Sequence, residues 1–554
     1  MRKKDIYIMI GCFILLLGFI FSEHYSLAKE YKEGILIKDS EKITEYENYD
    51  EIVKVEDENV YMDLNILNNH LNLLVDYDEN NQVAVITSPN KVIRFYQERE
   101  VKVNQQMVNN ISPMKMINGK VFIPINQLAD LLKIKIRFSQ EDKSIVLENQ
   151  LEKKITAKAA KDHVNVRIEQ GTWAMESDLL KEDETIDILK EDGDWLKVLT
   201  PRGKVGYVQK EEVKDIEESM GLEVTNKPIW KPENEKINLT WEYVYKKVSK
   251  EATTGELKGL NIVSPTWIGL KDAAGNINHK ISKDYIDWAK NRDHKVWPLF
   301  KNNFDPDLTN TFLKDAIARE KAINEVLKLI KENNMDGINI DFENIFLKDK
   351  EKLVLFVREL SSVFHENGLV VSMDVTAKGG SENWSQCYDR AALGQAVDYV
   401  ALMAYDEHWG SSPVSGSVAS LGWVEEIING LLEEVPSEKL LLGVPFYTRI
   451  WTETPSKDDP TKMVVKSKSA SMKTINEILK KENITKVWDE NSGQNYVEYV
   501  ENNKVRKIWI EDAISMKARV DLINKYNLAG IASWRRGFET EDIWNVIDEN
   551  LNKQ

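Results

Sequence analysis

From about residue 235 to the C-terminal end, short apolar runs alternate with longer stretches whose apolar residues recur at helical spacing. The runs are Ile237–Trp241, Leu260–Ser264, Lys295–Leu299, Gly337–Glu343, Leu369–Met373, Tyr399–Met403, Leu440–Val444 and Gly530–Trp534. Helical patterns such as Ala316–Glu332 and Asp349–Glu366 fall between most of them. Eight strands alternating with helices predict an α/β fold, a (β/α)8 TIM barrel over residues 235–554. The longest gap, about 447–527, carries further β-prone runs at Val487–Trp488, Tyr496–Tyr499 and Ile508–Ile510. It predicts a small α+β insertion before the eighth strand.

Ahead of the barrel the pattern is finer and β-like. Between residues 58 and 150, Val83–Ile86, Val92–Phe95, Val121–Pro124 and Ser144–Leu147 are strand candidates, and Ile125–Leu132 has helical spacing. Between 154 and 216, Val164–Arg167 opens a second unit. There Gly193-Asp194 turns into the alternating run Trp195–Val198, and Gly203–Val208 closes the unit. These predict two small β-rich modules. The first is similar to the copper amine oxidase-like N-terminal module, which implies a spacer or wall-associated stalk. Its single histidine, His70, predicts no copper. The second resembles bacterial SH3-type domains, which implies a cell-wall peptide ligand, with a ligand-free spacer as the alternative. Pro228 and Pro232 mark the boundary with the barrel.

Residues 29–57 are charged and Glu-rich, the pattern of an acidic, solvated linker. Before them, Arg2, Lys3 and Lys4 precede an unbroken apolar run from Ile6 to Phe21. At ~1.5 Å per residue this run is about 24 Å long, slightly short of a ~30 Å hydrocarbon core. Residues 1–28 therefore read as a secretory signal ending near Ser26-Leu27-Ala28, or as an N-terminal membrane anchor. Both place the rest of the chain outside the cytoplasm, held at the membrane or secreted to the wall.

Composition narrows the chemistry. Acidic residues outnumber Lys and Arg 91 to 74, a net charge of −17. That balance argues against a nucleic-acid partner, whose phosphates need cations. Two cysteines and seven scattered histidines offer neither a disulfide framework nor a metal-rich site, and nothing calls for a cofactor.

The most informative segment is Asp336-Gly337-Ile338-Asn339-Ile340-Asp341-Phe342-Glu343. Side chains on a strand alternate, so Ile338, Ile340 and Phe342 point to the helices while Asn339, Asp341 and Glu343 point into the barrel. Glu343 comes last, at the C-terminal mouth where barrels place their chemistry. Two acids about 7 Å apart along one face do not both ionise cheaply, so one keeps its proton to higher pH. Three readings follow: buried acids paired with Lys or Arg, a divalent-metal site on Asp341 and Glu343, or glycosidic-bond chemistry.

That segment resembles the DGxDxDxE motif of family 18 glycoside hydrolases. Met403-Ala404-Tyr405-Asp406 is similar to the family's M-x-Y-D, and Trp534 matches the tryptophan that floors the sugar pocket. Tyr405–Trp409, Ser417–Leu421 and Trp509–Ala513 resemble a Gram-positive subgroup that includes spore-cortex and cell-wall N-acetylglucosaminidases. The resemblance implies substrate-assisted retaining hydrolysis of an N-acetylated glycan polymer. Glu343 would be the acid and base, Asp341 would orient the substrate's 2-acetamido group, and Tyr405 would hydrogen-bond its carbonyl. Asp406 and Met403 would contact the sugar, with Asp336 and Gly337 as structural positions. Asn339 stands where many members carry aspartate, which alters the relay beneath Asp341. Peptidoglycan is the expected polymer. Chitin, or a catalytically silent glycan-binding protein, are the alternatives. Twelve of the fifteen tryptophans lie beyond residue 235. Among those near strand ends, Trp267, Trp297, Trp409 and Trp534 are candidate stacking platforms.

Overall fold

The computed structural model describes residues 34–552 apart from short stretches, of which 223–228 and 248–252 are the longest. The apolar run 6–21 lies outside the described residues. Among those described, no helix is long and apolar enough to cross a membrane. The chain divides into two compact units: residues up to 225 without 78–81, and 226–554 with 78–81.

In the first unit the expected strands are present, and the helix Ile125–Leu132 packs its buried Ile125, Leu128 and Leu132 inward. Val83–Ser88, Lys91–Phe95, Val101–Val103 and Gln106–Val108 form an antiparallel meander. The described part of 29–57 is not the linker its composition predicts. Gly34–Asp39 pairs parallel with Ser144–Asn149 and antiparallel with Lys42–Tyr46. The reason is the apolar run Ile35-Leu36-Ile37, whose Leu36 and Ile37 are buried despite the charged residues around them. Residues 154–219 fold as one seven-stranded antiparallel sheet around Val164, Val166, Leu196, Val198 and Val208. The expected hairpin turns at Gly193, whose φ of +62° suits a residue without a Cβ.

The second unit is the barrel. Its strands are Ile237–Glu242, then Ile262–Pro265 resuming as Ile268–Leu270, then Lys295–Val296 resuming as Leu299–Lys301. Gly337–Asp341, Val370–Thr376, Tyr399–Met403, Leu440–Pro445 and Gly530–Trp534 follow. Each pairs parallel with the next, and the eighth pairs with the first, closing the ring. Helices Ala316–Glu332 and Lys350–Glu366 follow the third and fourth strands. Asp315 caps the former by accepting from the backbone N–H of Ala318. The floor is apolar: Ile237, Leu239, Leu299, Ala401 and Leu441 fill the interior, and Trp230 packs on Trp297 from below.

Tyr447–Pro455, Met463–Ser471, Val487–Asp489, Gln494–Glu501 and Lys504–Ile510 form the insertion, a five-stranded antiparallel sheet with helix Met472–Lys481. The insertion ends near Ile510, short of the expected 527, because helix Ala513–Lys525 returns to the barrel wall beside Asp542–Leu551.

Candidate active site

Strand four divides its side chains as the alternation requires. Outward, Phe342 packs among Phe300, Phe312 and Phe356, with ring centroids 5.1–6.5 Å apart. Inward, Gly337 sits so close to strand five that a Cβ would lie 2.5 Å from the Val370 carbonyl. Asp336 ties strands three and four by accepting from the Val296 N–H at 3.0 Å. Both residues are therefore architectural.

Above them stands a layer of polar groups. Asn339 is fully buried and saturated. Its Oδ1 accepts from Trp241 Nε1 at 2.8 Å, and its Nδ2 donates to Ser372 Oγ at 3.0 Å and Asp374 Oδ1 at 2.8 Å. One level higher, Asp341 hydrogen-bonds Glu343 and lies in register with Lys301 of strand three. Burial pushes Asp341 up to about 6, against the lowering effect of its hydrogen bond to Glu343 and of the Lys301 ammonium. Glu343 is held well above the ordinary carboxylate range, first by burial and then by the charge of Asp341. The pair thus offers a proton-bearing acid beside an anion at neutral pH. Lys301 is, among the described residues, the cation set against Asp341. Among the described residues no group of three or more His, Cys, Asp or Glu is arranged to hold a metal.

The backbone under Glu343 is clamped. Asn302 donates to the Glu343 carbonyl at 2.7 Å and accepts from its N–H at 3.0 Å. Tyr388 donates from its hydroxyl to the Phe342 carbonyl at 2.8 Å. Neither residue belongs to a motif visible in the sequence.

From strand six, Tyr405 and Met403 point toward the interior, and the Tyr405 hydroxyl titrates well above its usual range through burial and the acids Asp374, Glu343 and Asp341. Asp406 follows at φ +61°, a left-handed conformation that turns its carboxylate to the mouth. There Tyr447 Oη donates to it at 2.6 Å and Arg449 pairs with it at 2.7 Å. Both partners come from the first strand of the insertion. Trp534, at the end of strand eight, packs on Trp241 with centroids 6.1 Å apart.

The remaining aromatic candidates separate. Trp267 is a correction: it is 1% exposed and packs edge-on against Tyr285, so it is core. Strand two breaks at Thr266 and resumes at Ile268, which turns the ring inward rather than to the mouth. Trp297 is likewise buried, stacked on Tyr399 in the barrel floor. Trp409 is 52% exposed and donates to Ser411 Oγ at 3.0 Å. The sequence reading missed Phe304 and Trp384, 45% and 44% exposed, whose rings stack at 6.2 Å and 30°. Phe304 is held at φ +60° by Asn302 and by Asn344, the residue after Glu343. The quoted segment Trp509–Ala513 serves the architecture: Glu511 forms a buried pair with Arg519, and Asp512 caps a helix.

The model described as Glycosyl hydrolases family 18 matches residues 235–539, and that described as Copper amine oxidase N-terminal domain matches residues 43–147. The chain is 26% identical over 274 residues to the glycosylase YvbX of Bacillus subtilis, covering 47% of this chain and 76% of that protein. It is 26% identical over 253 residues to the cortical fragment-lytic enzyme of Bacillus subtilis, covering 45% of this chain. The chain spans 57% of that relative's length. The C-terminal domain of a putative chitinase from Desulfitobacterium hafniense superposes with a TM-score of 0.51 at 25% identity, covering 57% of this chain and 99% of that one.

Proposed function

The chain belongs to the family 18 glycosyl hydrolases, and from that premise we propose that it cleaves the β-1,4 bond following N-acetylglucosamine in cell-wall peptidoglycan. The observation that carries the reading is the buried, hydrogen-bonded pair Asp341–Glu343 at the barrel mouth, one acid proton-bearing and one poised to ionise.

In this reading Glu343 protonates the glycosidic oxygen. The carbonyl oxygen of the substrate's own 2-acetamido group attacks the anomeric carbon, so no second carboxylate is needed as nucleophile. Asp341 accepts from the acetamido N–H and stabilises the oxazolinium, while the Tyr405 hydroxyl donates to the acetamido carbonyl. Glu343 then takes a proton from water attacking the opposite side, restoring the configuration. Asp406, fixed by Tyr447 and Arg449, binds the sugar at the cleavage point. Similarity to a cortical fragment-lytic enzyme supports a wall polymer acted on outside the cytoplasm, and in this reading the seven-stranded β module at 154–219 would hold wall peptide. Similarity to a putative chitinase keeps chitin as the second reading.

The test is reducing-end release by the purified protein from peptidoglycan and, separately, from chitin oligomers, with Glu343→Gln as the blank. Glutamine-sensitive release from peptidoglycan, with new ends at N-acetylglucosamine, is the expected result. Release from chitin alone would move the substrate to the second reading, and no release from either would refute the assignment.

Phe304–Trp384 and Trp534 stand on opposite sides of the ring, beside strand four and on strand eight. A glycan seated on both passes over Glu343. Phe304→Ala and Trp384→Ala should each raise KM for the polymer by roughly 5- to 30-fold, about 1–2 kcal/mol of stacking, with kcat little changed. Unaltered KM in both variants would remove the platform from the site.

A further inference from the structure

We propose that Asp374, on strand five, is a positioning carboxylate beside the reacting pair, supplied from the neighbouring strand because position 339 carries an amide. The inference rests on the hydrolase reading of Asp341 and Glu343 and adds a residue that no motif contains.

Strand register places it. Asn339 pairs with Ser372 and Ile340 with Met373, so the next inward residue of strand five, Asp374, stands level with Asp341. Ser372 and Asp374 share the inward face, and both accept hydrogen bonds from the Asn339 amide. Asp374 is buried, and its hydrogen-bond partners are the Asn339 amide and Trp241. The groups that face it are Asn339, Asp341 and Glu343 from strand four, Trp241 from strand one and Tyr405 from strand six. Lys301, from strand three, is set against Asp341.

The hydrogen bonds fix which residue type fits each position. Asn339 must present a carbonyl oxygen to Trp241 Nε1 and Ser264 Oγ, at 2.8 and 3.4 Å, and an N–H to Asp374 at 2.8 Å. An aspartate at 339 satisfies the first two donors and opposes Asp374 with a second carboxylate at hydrogen-bond distance. Two acids that close cannot both ionise. Asparagine at 339 and aspartate at 374 are therefore complementary: this hydrogen-bonded pair of positions holds one carboxyl group, and strand five carries it.

From there Asp374 acts on the reaction through its neighbours. It orients the Asn339 amide, and its charge is among the causes that hold Glu343 high, which helps to keep the proton on the Asp341–Glu343 pair until substrate enters. Burial raises Asp374 well above the usual range for aspartate, and the charge of Asp341 raises it further, while its bonds to Asn339 and Trp241 pull the other way.

The test uses the full chain and three variants: Asp374→Asn, Asn339→Asp, and the exchange Asn339→Asp with Asp374→Asn. Steady-state rates on an aryl glycoside of N-acetylglucosamine oligomers are read from pH 4 to 9, with thermal unfolding of each variant and Glu343→Gln as the blank. Asp374→Asn should lower kcat at least ~10-fold with KM within about twofold. Its alkaline limb should move to lower pH, because the charge of Asp374 no longer helps to raise Glu343. Asn339→Asp should lose activity too, and the exchange should recover most of it by restoring a single carboxyl group to the 339–374 pair. Wild-type kcat and pH profile in Asp374→Asn would overturn the inference. So would a folded exchange variant no more active than Asp374→Asn. Should the wild type itself fail to turn over while binding the oligomer, it is the hydrolase reading that falls, and this inference with it.

Discussion

Replacing Glu343 with glutamine is expected to lower kcat by roughly 10³-fold or more while leaving affinity for an N-acetylglucosamine oligomer within about twofold. Glutamine keeps the length and hydrogen-bonding shape of the side chain but has no acidic proton to give the leaving oxygen. The backbone gives it no room to move: Asn302 brackets both the N–H and carbonyl of residue 343, and Tyr388 holds the preceding carbonyl. The substitution therefore separates chemistry from geometry. In the wild type, burial and the Asp341 charge hold Glu343 well above the ordinary carboxylate range. The acid is thus loaded at neutral pH, and activity is lost as pH rises through its elevated value. Steady-state kinetics with titration calorimetry on the same oligomer provide the check. Turnover within tenfold of wild type would show that another group supplies the proton.

The sequence revealed this acid because strand geometry is local. Alternation assigns Ile338, Ile340 and Phe342 to one face and Asn339, Asp341 and Glu343 to the other without knowledge of any neighbour. The eight-strand alternation was legible for the same reason. Lateral register was not. Asp374 lies in Val370-Val371-Ser372-Met373-Asp374, which reads as an ordinary buried strand until pairing sets it beside Asp341. Asn302, Tyr388, Tyr447 and Arg449 reach the site from loops and from the insertion, at separations no window of sequence spans. The tryptophans show the other limit. Trp267 and Trp534 both sit near strand ends, yet one ring is core and the other faces the mouth, because a break in strand two rotates the first. Charged flanks hid Ile35–Ile37 as a strand: composition averages over a window, whereas burial is decided residue by residue.

Asp341→Asn is expected to cost about 10²–10³ in kcat and to move the alkaline limb of the pH profile to lower pH. The loss in rate follows from the missing charge, since an asparagine carbonyl accepts the acetamido N–H but does not stabilise a cationic oxazolinium. The movement of the limb follows from coupling. The charge of Asp341 is the second cause, after burial, of the raised value at Glu343, so its removal lets Glu343 release its proton earlier. Burial remains, so Glu343 stays above an ordinary glutamate. Stability should respond with the opposite sign. Asp341 sits at about 6 in the folded chain against an ordinary value of 3.8, so the native state binds this proton more tightly than the unfolded one. Wild-type stability is therefore eroded as pH rises from about 4 to about 6, and a neutral asparagine is spared that erosion. The Tm of Asp341→Asn relative to wild type should increase across that interval and level off above it, while Lys301 loses its partner at every pH. An alkaline limb that stays in place would separate Glu343 from Asp341. A relative Tm that falls across the interval would mean that the ionised carboxylate is the better-satisfied form in the fold.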